Sequence, residues 1–203
     1  MRYEKGRREA SRRRIMAAAA RRFRKDGIAA SGLAVIMSDA GLTNGAFYPH
    51  FPSKAALARE SVAAALEDQA KRLQVIMAAG GLEGLIEAYL SPKHRDNPGQ
   101  GCAAAALLPE LARQPLRTRR HCAERVLAVV HDMANALPAL TRDRESVALG
   151  LYAILIGTLQ LARTVKGTPS SDRILAAGAK AARTLCQVPL PVSGEEHDPP
   201  PRS

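Results

Sequence analysis

The residues best suited to chemistry lie in one short run, Thr43-Asn44-Gly45-Ala46-Phe47-Tyr48, followed by His50 and Lys54. An amide such as Asn44 can pair bidentately with adenine, and Thr43 can reach a phosphate or a base edge. Gly45 carries no Cβ to hold the backbone away from a groove. A second run, Gly101-Cys102 after Lys93-His94-Arg95, sets a sulfur in the first turn of a predicted helix beside positive charge, a setting that activates thiols. An inert packing cysteine is the competing reading of Cys102. His121-Cys122 and His131-Asp132 lack metal-ligand spacing and read as helix-surface or core positions. Gly99-x-Gly101-x-x-Ala104 formally fits a dinucleotide-binding fingerprint, but a charged, Pro-containing loop precedes it where a strand is required. Its glycines start a helix. No nucleophile-base arrangement or phosphate loop is legible, so neither an enzyme nor a cofactor nor a metal site is expected.

The elements that must hold Thr43 and Asn44 are two short helices within Leu33–Lys54. Leu33, Ile36 and Met37 share one helical face. Gly41 supplies a left-handed stop, and Leu42 packs back after the turn. Thr43 caps a second helix, which Pro49 keeps brief. Two helices about a Gly-containing turn form the unit that lays a recognition helix in the major groove of DNA, its N-terminal residues foremost.

Gly27-Ile28, Ile36, Ala40-Gly41-Leu42-Thr43, Gly45-Ala46-Phe47-Tyr48, His50-Phe51 and Ser53-Lys54-x-x-Leu57 together resemble the DNA-binding signature of TetR-type transcriptional regulators (TetR/AcrR type). The motif spans about a quarter of the chain. Met37 stands where that family usually has Ala, and Gly32 where it has Thr or Ser, leaving Ser31 as the expected cap. The resemblance implies phosphate contacts from Tyr48, His50 and Lys54. With Arg12, Ser31, Thr43, Asn44, Gly45 and Phe47 they make up the expected DNA-binding set. Phe51 reads as core. Gly101-Cys102 with Glu110 resembles a TetR subgroup, some of whose members sense electrophiles or oxidants.

Net charge is +11, and the first 25 residues carry most of it, with eleven Lys or Arg against Glu4 and Glu9. A basic end on a nearly neutral body points to a polyanion partner, with a solvated tail as the alternative. Its place directly before the helix-turn-helix favours phosphate. Three scattered cysteines are too few for a disulfide framework, and the N-terminus lacks a signal peptide's apolar stretch, so a cytoplasmic protein is expected. Val147–Ala162, the most apolar run, falls short of the roughly 20 residues needed to span a bilayer.

Hydrophobic content of 46% with 3% aromatics and abundant Ala predicts an all-α fold. Residues 1–8 read as a basic arm, with helices over about 11–25, 54–78, 82–90, 102–113, 116–137, 141–165 and 170–186 and a polar loop over 91–99. The expected organisation is an N-terminal three-helix DNA-binding head at 1–52, a helical ligand-binding and dimerisation domain at 53–188, and a disordered tail at 189–203. The 141–165 helix is apolar nearly all round, so both faces need cover. Gly150 and Gly157 would let a second copy approach. A homodimer through this helix and the next is therefore expected, as the four-helix bundle of TetR-like regulators also implies. An effector pocket is expected among Leu85, Tyr89, Cys102, Leu108, Val126, Val130, Tyr152 and Leu155, with no broad aromatic cage, since Tyr89 and Tyr152 are the only aromatics after the head. The combined expectation is a ligand-responsive repressor that binds a palindromic operator as a dimer and is released by a small-molecule or electrophile effector. The competing classes are a transcriptional activator of the same family and a non-specific nucleic-acid-binding architectural protein.

Overall fold

The computed structural model describes residues 2–187, and among them there are helices and no strands. The tail expected from residue 189 lies outside the described residues. Eight α-helices occur in the order α1 (Arg2–Asp26), α2 (Leu33–Asp39), α3 (Lys54–Tyr89), α4 (Pro92–Asp96), α5 (Ala103–Leu111), α6 (Leu116–Ala136), α7 (Arg144–Thr164) and α8 (Pro169–Gln187).

The first helix differs from expectation at its start. It reaches back to Arg2 where a free basic arm was expected, because Arg, Lys and Glu are good helix formers and Gly6 interrupts them only once. Ile15, Ala18, Ala19 and Phe23 form its buried stripe. Gly27, at φ 84°, accepts the left-handed turn that ends it, and a Cβ there would meet a Glu110 carboxylate oxygen at 2.8 Å. α2 buries Ile36 and Met37, then closes with the Gly41 amide on the Ser38 carbonyl and the Leu42 amide on the Met37 carbonyl, 2.9 and 3.0 Å. Gly41 takes φ 65°, the conformation this paired closure demands.

Ser53 caps α3 by accepting from the Ala56 amide at 3.1 Å. The helix runs 36 residues from head to body and breaks direction at Gly81, where the sequence places Gly80-Gly81 between two helical segments. The segment expected as a loop after it contains α4, started by Ser91 and Pro92. A 3-10 turn, Pro98–Gln100, follows and leads into α5 with no strand nearby, which removes the structural requirement of the Gly99-x-Gly101 fingerprint. Asp143 caps α7 through the Ser146 amide. At 21 residues α7 lies within the expected 141–165 and is apolar enough to cross a membrane by length and composition. Its Leu151, Leu155 and Leu159 face is nevertheless buried in the protein's core. α7 and α8 pack side by side, with Leu185 over Gly150.

Candidate nucleic-acid interface and internal cavity

Thr43, Asn44 and Gly45 stand exposed at the turn after α2, on a 3-10 turn spanning Asn44–Ala46. This element is shorter than the expected second helix, because Pro49 withholds an amide and the chain reverses through residues 48–50. Tyr48 is 70% exposed beside this turn. Exposed side-chain donors and acceptors that no other described residue engages can be spent on a base edge or a phosphate.

The rigidity of that turn comes from beneath. Phe47 and Phe51 stack at 5.8 Å, Tyr48 meets Phe47 edge-on at 5.3 Å, and Phe23, Phe47 and Phe51 are fully buried. Each such ring contributes roughly 1.5–3 kcal/mol by leaving water. Phe47 at 0% exposure is therefore a core residue of the head and is corrected from the expected DNA-contacting set. Ser31 is corrected as well. Its hydroxyl donates to the Gly27 carbonyl at 2.6 Å and is turned inward, and α2 starts from Gly32 without a side-chain cap.

Much of the basic charge is committed within the protein. Arg12 pairs with Glu60 of α3 and lies 4.7 Å over the Phe51 ring. Arg22 and Arg21 both hold Asp39 of α2, at 2.6 and 2.9 Å. The hydrogen bonds from Arg22 come first in pulling the Asp39 carboxyl down to about 2. Arg8 donates to the Pro49 carbonyl at 2.6 Å, bracing the recognition turn, and Lys54 donates to the Ala29 carbonyl at 3.2 Å. His50 is half-buried with Nδ1 unpartnered. Burial, then Arg8 and Arg12, push its pKa below the ordinary histidine value.

The ligand-pocket candidates divide. Leu85, Val130 and Leu155 are filled core positions, and Leu108 and Val126 pack partly buried against them. Tyr89 and Cys102 do meet, lining a cavity of about 150 Å³ together with Gln69, Arg72, Leu73, Ile76 and His94. Tyr152 joins through Gln69, whose Nε2 donates to the Cys102 sulfur at 2.9 Å and to the Tyr152 hydroxyl at 3.2 Å, while its Oε1 accepts from the Ala103 amide at 2.7 Å. Cys102 caps α5 through the Ala105 amide, 3.2 Å from its sulfur. Gln69 was missed from the sequence. The signal was present: a polar residue on the Leu66–Leu73 stripe of α3, where it is buried. His94 was also missed. Its Nδ1 donates to the Tyr89 carbonyl at 2.7 Å and its Nε2 accepts from the Cys102 amide at 3.0 Å, an assignment only the neutral ring satisfies.

Residues 15–60 match the profile of bacterial regulatory proteins of the tetR family. Across most of the chain the fold is similar to the reduced form of NemR from E. coli, at 18% identity and TM-score 0.72, covering 89% of this chain and 98% of that one. A TetR-family regulator from Cytophaga hutchinsonii gives 18% and 0.72 over 87% and 95%, and one from Chloroflexus aurantiacus J-10-FL gives 20% and 0.69 over 92% and 98%. Among curated proteins none matches significantly. At these identities the structural likeness is one of fold.

Proposed function

We propose that the chain is a DNA-binding transcriptional regulator of the tetR type, a cytoplasmic homodimeric repressor released from a palindromic operator by a small-molecule effector. The observation that carries the DNA reading is the exposed Thr43-Asn44-Gly45 edge mounted on a fully buried aromatic layer. In this reading Thr43 and Asn44 face the bases, Gly45 lets the backbone approach, and Tyr48, His50 and Lys54 take phosphates. Arg12, already spent on Glu60 and Phe51, braces the head. The head comprises residues 1–52 and the ligand-binding and dimerisation domain 53–188.

A dimer through α7 and α8 is supported by what these helices leave uncovered. Leu149 is 44% exposed, Leu161 is 61% exposed, and Gly157 faces open space. Two heads would then address half-sites about one helical turn, 34–36 Å, apart. The effector acts by preferring one of two head arrangements, since a ligand equal for both shifts nothing. The path is short: α5 begins at the cavity with Cys102 and ends beside the head with Glu110.

Selection from a random duplex pool tests this reading. A palindromic site bound roughly 10³-fold or more above random duplex is expected, whereas an architectural protein binds all sequences alike. Transcription from a template carrying that site separates repression from activation. Cys102 on the cavity wall favours a second form of the same reading, release by an electrophile. Alkylation that releases the operator from wild type and spares Cys102→Ser is expected, and release persisting in Cys102→Ser refutes it.

A further inference from the structure

Around the α5 cavity nearly every polar group already has a partner. Gln69 uses both ends of its amide, and His94 uses both ring nitrogens. Among the buried groups the exception is the Tyr89 hydroxyl, in a residue 3% exposed, which has beside it the Cys102 sulfur, a weak acceptor, and no well-aligned partner among the described residues. A buried hydroxyl left unmatched costs free energy that a guest with an acceptor atom would recover.

The charge around it is one-sided. None of the lining residues is a carboxylate, and Arg72 stands at the rim with no salt bridge to any described residue. Arg72 and Gln100 are shared with a larger cleft of about 760 Å³ between α1 and α3. Arg13, Arg14, Arg21 and Arg24 line that cleft too. Of its two carboxylates, Asp39 and Asp68, the first is held by Arg21 and Arg22. A concave route lined by one sign of charge concentrates ligands of the other.

Resting on the effector reading above, we propose that the cavity bounded by Gln69, Tyr89 and Cys102 seats a small organic carboxylate of roughly six non-hydrogen atoms, reached through the arginine cleft. The size follows from the volume, since a cavity of about 150 Å³ accommodates a guest as large as benzene. One carboxylate oxygen accepts from the Tyr89 hydroxyl, and the anion gains from Arg72 at the rim. The hydrocarbon part meets Leu73, Ile76 and Ala88.

The test uses the full chain and three probes of one shape: isobutyrate, isobutyramide and isobutylamine, titrated near pH 7.5, where the first is an anion and the last a cation. Isobutyrate should raise the melting temperature and bind about tenfold more tightly than the amide, the value of one charge-assisted hydrogen bond, while the amine gives no shift. Tyr89→Phe keeps the ring and should lose about tenfold in isobutyrate affinity while the free protein melts no lower. Arg72→Gln, an exposed change, should weaken the anion and leave the amide unaffected. The proposal is overturned if none of the probes binds, if the amide or amine binds as well as the anion, or if Tyr89→Phe changes nothing. Specific operator binding in a protein that ignores isobutyrate overturns the carboxylate site and leaves the regulator intact. Isobutyrate binding that leaves the operator complex undisturbed sustains the site and removes its role as the effector switch.

Discussion

Glu110 and Ile28, 82 residues apart, are joined by a forked hydrogen bond: the Ile28 amide donates to Oε1 at 3.1 Å and to Oε2 at 3.0 Å. The Ala29 amide approaches Oε2 at 3.4 Å. The carboxylate at the end of α5 thus satisfies amides in the turn between α1 and α2, and Gly27 leaves the space it occupies. Glu110→Ala leaves these amides without their acceptor. A loss of about 1.5–3 kcal/mol is expected, the range for hydrogen bonds to a charged group. In a chain of this size that is a fall in melting temperature of several degrees. Hydrogen exchange should accelerate at Ile28 and Ala29 before the core of the body. Unchanged exchange at both amides would remove Glu110 as the link between body and head.

The recognition turn makes a separable prediction. Asn44→Ala should cost about 1–3 kcal/mol of operator affinity and relax the preference at one base position. Lys54→Ala should weaken all duplexes alike and reduce the salt slope by about one. Binding measured over a salt series on operator and random duplex distinguishes them. A uniform loss from Asn44→Ala would reassign that residue to the backbone.

Phe47 distinguishes a core role from a stacking role at the DNA. Phe47→Ala should destabilise the fold by about 3–5 kcal/mol, as large core truncations do. Phe47→Leu should keep both the fold and operator binding. Calorimetry of the two variants, with no DNA present, decides the matter. A Phe47→Ala protein as stable as wild type but unable to bind operator would return the ring to the interface.

His94 predicts a pH dependence of stability. Burial first, then Arg163 and Arg72, lower its pKa, against a raising contribution from the Tyr89 carbonyl. The unfolded ring therefore binds its proton at higher pH than the folded one. This contribution to stability is complete above the ordinary value of about 6.5 and is lost as pH falls through the depressed folded value. Protonation also removes the acceptor for the Cys102 amide. His50 shifts in the same direction, so wild type must be compared with His94→Gln. Melting curves from about pH 8 to 5 should fall more steeply for wild type, and parallel curves would exclude His94 as a contributor.

What sequence reading captured and what it missed follow from range. Leu33, Ile36 and Met37 repeat at helical spacing, and Gly41 and Gly80-Gly81 interrupt such repeats, so the helix-turn-helix and the break in α3 were legible. Phe47 was misassigned because a three-residue 3-10 turn is too short to establish a face. Ser31 has the composition of a cap, but its orientation depends on the Gly27 carbonyl that folding brings above it. Charge counting found the basic helix, yet the Arg12–Glu60 pair spans 48 residues and exists only once α1 lies on α3. The same holds for the cavity, where Gln69 meets Cys102 across 33 residues.

The proposed dimer rests on the outer face of α7. Leu149 and Leu161 are exposed on a helix whose opposite face is filled, and Gly157 between them presents no Cβ to an approaching helix. Apolar side chains arranged this way gain most when a matching surface covers them. Wild type should elute with twice the 21.7 kDa mass of one chain by light scattering. A Leu149→Glu, Leu161→Glu variant should run as the single chain, because two carboxylates cannot be buried unpaired at a two-fold contact. Both positions face outward in the single chain, so its helical circular dichroism should match wild type. Operator affinity should collapse, since one head retains a single half-site and loses the second contact that tethering makes cheap. A variant that keeps the doubled mass would relocate the interface away from α7, and a monomer with undiminished operator affinity would break the tie between dimerisation and DNA binding.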